Sequence, residues 1–103
     1  MDPLTILLLA AITLYSVFIT VFFAYLTWLI VVEWFQDYEE VATQSENVAA
    51  TIKITVESGE AAIVQGVFNR NTGNPVKGRI IKYNDLDSRV SEVHRNNDVV
   101  IWQ

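Results

Sequence analysis

The pattern of apolar and polar positions divides the chain in two. Positions 3–32 are thirty consecutive residues without a charge, whereas beyond position 50 the apolar residues come in short runs separated by polar, turn-forming clusters. A bilayer-spanning helix needs about 20 apolar residues, and thirty residues at ~1.5 Å each reach ~45 Å. The first pattern therefore predicts one transmembrane helix over 4–32, with the surplus length taken up by tilt. A cleaved signal peptide fits less well, because no basic residue precedes the run and the run far exceeds the usual length of about 7–15 apolar positions. Trp28, Trp34, Phe35 and Tyr38 would form an aromatic belt at the far membrane interface.

Wound at about 100° per residue, this helix would be two-faced. Ala10, Thr13, Ser16, Thr20, Ala24 and Thr27 recur every three or four residues as a stripe of small side chains, with Tyr15, Phe18, Phe22 and Tyr25 nearly opposite as an aromatic stripe. Helices in lipid are held together by close approach across small residues and by hydroxyl hydrogen bonds, so the small stripe predicts docking against other transmembrane helices. The aromatic stripe would meet lipid or a neighbouring helix, with a pigment as a lesser candidate; no cofactor of the chain's own is implied. Glu33 and Asp37, four apart just past the span, share a helical face able to meet a hard cation. A solvated helix end is the simpler reading.

The distal part reads as a small unit of strands and one helix. Ile52, Ile54 and Val56 alternate with Lys53 and Thr55, the period of a half-buried strand. Second and third strands follow over 61–68 and 76–83, joined by the turn-rich Asn69-Arg70-Asn71-Thr72-Gly73-Asn74-Pro75. Asn84-Asp85 would cap a short helix carrying Leu86, Val90 and Val93, and Val99-Val100-Ile101-Trp102 would close the unit as a fourth strand. The expected fold class is thus a single-pass transmembrane α-helix followed by a small α+β module in the order β-β-β-α-β. The divisions would be 1–43 for the helix and its short aqueous extension, 44–50 for a linker, and 51–103 for the module.

Charge sharpens this division. Residues 1–50 carry six acids and no Lys or Arg, while residues 51–103 carry all seven bases against six acids. With every base on the carboxyl side, the module is expected on the cytoplasmic side. No like-charge block reaches the length of a nucleic-acid tail, so no nucleic-acid partner is expected. Arg70, Lys77, Arg79 and Lys82 gather around the predicted hairpin as a patch for an acidic partner or anionic headgroups.

Catalytic chemistry finds little to work with. The chain has no Cys and one His, which excludes thiol nucleophiles and the usual transition-metal ligand sets. His94 has no triad pattern around it, Asp85-x-Asp87-Ser88 lacks the glycine and terminal Glu of a calcium loop, and the four glycines are isolated. The sequence therefore reads as a non-catalytic accessory subunit of a larger membrane complex, docked by its helix and capping the aqueous face with its module. The alternatives are a membrane-tethered adaptor for a soluble partner, or a small homo-oligomer.

Overall fold

Strands form where β-branched and aromatic residues are dense, and one such stretch lies inside the uncharged run. The computed structural model describes residues 3–10, 18–55 and 58–102. Along the chain they form α1 (Pro3–Ala10), β1 (Ile19–Leu26), α2 (Trp28–Asp37), α3 (Glu39–Ala42), β2 (Asn47–Thr55), β3 (Ala61–Asn69), β4 (Pro75–Leu86), α4 (Ser88–Val93) and β5 (Val99–Trp102). The five strands make one mixed sheet in the order β1-β4-β3-β2-β5. β1 runs parallel to β4, and every other neighbouring pair is antiparallel.

The expected single-pass transmembrane helix is overturned. No helix among the described residues is long and apolar enough to cross a membrane. Within 4–32, residues 19–26 form β1 instead, and α2 begins at Trp28. Ile-Thr-Val-Phe-Phe-Ala-Tyr-Leu combines β-branched and aromatic side chains, which fit a pleated surface better than a helix. The partner that uses this preference is β4, sixty residues on in register: Ile19 lies opposite Arg79, Phe22 opposite Lys82 and Tyr25 opposite Asp85. The single-pass membrane placement and the cytoplasmic-side position of the distal module, both derived from that helix, are corrected with it.

Helices cover both faces of the sheet. On one face Leu8 of α1 packs on Val48, Ala50, Ile52, Val64 and Phe68, with Phe18 and Ile80 at the border. Full burial of a side chain such as Leu8 is worth about 1.5–3 kcal/mol, enough to hold an eight-residue helix that is marginal alone. On the other face α2 and α4 bring Val31 and Val90 onto Ile63, Ile81 and Leu26. β3 is buried on both faces along most of its length, as the central strand of such a sandwich must be.

Gly66 of β3 and Gly78 of β4 face each other across the sheet. A Cβ on Gly66 would lie 2.7 Å from the Lys77 carbonyl oxygen and 2.8 Å from the Phe68 ring, and one on Gly78 would overlap the Phe18 ring. Two aromatic rings thus occupy the space that side chains would fill.

Candidate functional site

Two polar clusters lie on the α2–α4 face. The first sits where α2 crosses the β1 margin. Gln65, fully buried at the middle of β3, donates from Nε2 to the Val31 carbonyl of α2 at 2.7 Å. Its Oε1 accepts from Arg79 Nε and Nη2, at 3.0 and 2.8 Å. The Arg79 guanidinium lies 5.5 Å from the ring centres of both Phe23 and Trp34, a double cation–π contact. Burial pulls the Arg79 pKa below its ordinary value, and the nearby Tyr38 and Asp37 pull it back up. Lys77 repeats the pattern over Tyr38 at 5.9 Å, and Trp34 packs on Tyr38 in a tilted arrangement with ring centres 4.6 Å apart. Tyr83, on the same β4 face, is half-buried, and burial raises its pKa.

The second cluster fastens the last strand. Trp102 Nε1 donates to Thr51 Oγ1 at 2.8 Å, and Thr51 Oγ1 lies 2.7 Å from His94 Nε2. His94 Nδ1 lies 3.0 Å from the Asn97 carbonyl oxygen. That oxygen only accepts, so Nδ1 carries the ring proton and Nε2 accepts from the Thr51 hydroxyl. His94 is 3% exposed. Burial lowers its pKa; Lys53 acts in the same direction, against the Asn97 hydrogen bond and Asp98. Both ring nitrogens are committed, so this histidine is a structural fastener. The Trp102 ring in turn packs on Trp28 and Phe35, at 4.8 and 5.7 Å.

A third junction is made by Asp87. Its Oδ1 accepts from Arg89 N and caps α4, and its Oδ2 accepts from Trp28 N at the start of α2. These two backbone hydrogen bonds, the Trp28 bond foremost, hold its carboxyl below the usual carboxylate range. An open groove of about 680 Å³ lies between α2–α3 and the β2–β5 edge, with Phe35, Glu39, Gln44, Arg70 and Trp102 on its walls. Asn47 within it is spent on Val41 O and Gln44 Oε1. No buried side-chain polar atom among the described residues lacks a partner, and no group of three or more His, Asp or Glu there is placed to hold a metal ion.

No protein-family model, curated protein or solved structure matches the chain.

The residues singled out in the sequence are dispersed by the sheet. Of the small stripe, Ala10 ends α1, Thr20 and Ala24 are exposed on β1, and Thr27 caps α2 by accepting from Ile30 N at 3.1 Å. Thr13 and Ser16 lie outside the described residues, as does Tyr15 of the aromatic stripe. Phe18 precedes β1, while Phe22 and Tyr25 are exposed on it. Trp28, Trp34 and Phe35 all sit on α2, and Tyr38 follows it directly. Of the basic patch, Lys77 and Arg79 meet these aromatics. Lys82 lies on the opposite face beside Phe22, and Arg70 is at the hairpin end, donating to the Asn47 carbonyl oxygen at 2.9 Å. Sequence reasoning did not single out Gln65, Thr51 or the edge strand β1. The available signal for β1 was its β-branched and aromatic density.

Along the β1 margin run an uncharged strand, aromatic rings and two cations, Arg79 half-buried and Lys77 exposed. Ile19, Phe22 and Tyr25 are 70%, 59% and 53% exposed, and Leu29 of α2 is exposed as well.

Proposed function

We propose that this chain is a non-catalytic interaction domain that joins a protein assembly by strand addition at β1. The observation that carries the reading is the strand itself: eight residues at the sheet edge, without charge or proline, presenting three large apolar side chains. Edge strands of natural proteins are blunted by shortness, charge, proline or a bulge, because their open N–H and C=O groups are a template for another strand. The opposite edge, β5, is only four residues long. β1 has none of these protections. The cations on aromatic rings beside it supply the polar rim that surrounds an interface's apolar centre. The commitment of both His94 nitrogens, and of Asn47 in the open groove, favours binding over catalysis.

Site-specific photo-cross-linking in cells tests this. A benzophenone side chain placed at position 22 should give a discrete cross-linked product that is lost when Ile19→Glu is added. The same group at the exposed Val76, at the hairpin end, should not. No product from position 22, or equal products from both positions, would refute strand addition at β1.

A further inference from the structure

We infer that the strand added to β1 is the β1 of a second copy of this chain, paired antiparallel about a two-fold axis through Phe22. This rests on the reading of β1 as an assembly edge and names its partner. The argument is the spacing of the exposed side chains. A two-fold axis normal to the sheet keeps each face on its own side, so residues paired across it must share a face. Centred on Phe22, the axis sets Phe22 against its own copy, Ile19 against Tyr25, Val21 against Phe23 and Thr20 against Ala24. The three large apolar side chains left exposed on β1 are 19, 22 and 25, and this register covers all three at once. Moving the centre by one residue to Val21 or Phe23 pairs Phe22 with Thr20 or Ala24 and leaves an unmatched end.

The charges on β4 do not oppose the register. On the α2 face the cross-sheet row reads Arg79, Ile19, then Tyr25 and Asp85 of the second copy, with its charged ends three strand spacings apart. On the other face Lys82 flanks Phe22, and the two lysines stand three strand spacings apart, about 14 Å, beyond a Debye length of about 8–10 Å. β1 itself carries no charge to repel its copy. The area is sufficient for a reversible dimer. Side chains of this size offer roughly 150–250 Å² when fully exposed. Three of them, each more than half exposed, together with the backbone strip supply about 500 Å² per protomer. The total of about 1,000 Å² is the lower bound for a specific interface. The product is a continuous ten-stranded sheet with β1 at its centre and β5 at both ends.

Sedimentation equilibrium of the purified full-length chain across a concentration series is the test. A mass moving from 11.7 kDa to twice that is expected. Phe22→Lys sets two like charges face to face at the axis and should raise the dimer dissociation constant at least tenfold, with an unchanged far-ultraviolet circular dichroism spectrum. Ile19→Glu and Tyr25→Lys should each weaken the dimer, and the double variant should recover it, because only this register brings position 19 to position 25. A dimer weakened by each single change without recovery in the double overturns the register. A chain that stays monomeric throughout overturns self-pairing, and cross-linking from position 22 to a different protein would then keep the strand-addition reading alone. A dimer indifferent to Phe22→Lys overturns self-pairing through β1, register included.

Discussion

The fastening of the last strand gives a sharp quantitative prediction. Among the described residues Thr51 Oγ1 joins Trp102 Nε1 to His94 Nε2, and Thr51→Val keeps the shape while removing the hydroxyl. Two polar groups then lose their partner, one of them on a buried ring. An orphaned buried group costs about 1–3 kcal/mol, and Trp102 retains some access to water, so the expected loss is about 2–4 kcal/mol. For a domain near a hundred residues each kcal/mol moves Tm by about 4–8 °C, which places the variant roughly 8–32 °C below the parent. Acid should act on the same link. Protonation of Nε2 removes its acceptor and forces Thr51 to accept twice, leaving its own proton without a partner. Because the folded pKa of His94 lies below the ordinary 6.5, the unfolded chain binds more protons between the two values. Stability is then complete above about pH 6.5, declines as pH falls from there to the folded value, and levels off below it. Thermal unfolding followed by circular dichroism from pH 7.5 to 5.5 measures this, with His94→Gln as the control that should flatten the slope. A Thr51→Val chain within about 0.5 kcal/mol of the parent, or an equal slope in His94→Gln, would refute the relay.

Three further outcomes follow from other junctions. Gln65→Leu removes the bond to Val31 and strips the Arg79 guanidinium of its acceptor, and should cost about 1–3 kcal/mol in urea unfolding. Asp87→Ala should lower Tm at neutral pH by freeing the α2 and α4 amides. The gap should close as acid protonates Asp87 in the parent, since a carboxyl with a lowered folded pKa stabilises above the ordinary value of 3.8 and loses that effect as pH falls through the folded one. Gly66→Ala should destabilise by about 1–3 kcal/mol, because the new methyl meets the Lys77 carbonyl and the Phe68 ring; a neutral result would show that β3 and β4 can shift apart.

Much of the chain beyond residue 47 was locally legible. Alternation marks Ile52 and Ile54, and the turn residues at 69–75 separate β3 from β4, with Gly73 at φ +78°. The ends of elements were less readable. β4 runs on to Leu86, and the cap of α4 is Asp87 rather than Asn84-Asp85, because pairing with β1 holds residues 84–86 extended. β2 starts at Asn47, within the small-residue stretch read as linker. Ala49 and Ala50 there are buried under neighbouring elements, and that kind of burial leaves no periodic trace.

The uncharged run is where local pattern could not decide. Thirty residues without charge satisfy a membrane helix, and a strand that packs on one face and ends a sheet satisfies them equally. What separates the two is β4, whose own sequence says nothing of a parallel neighbour sixty residues upstream. The spacing of the exposed side chains carries the same ambiguity. Phe18, Phe22 and Tyr25 at steps of four and three make one face of a helix, whereas in a strand residues 22 and 25 point to opposite faces. Only with the strand assigned does the set 19, 22, 25 appear, symmetric about its middle member. A helix would read that set as one more greasy stripe, while the sheet edge makes it a pattern that its own reversed copy matches residue for residue.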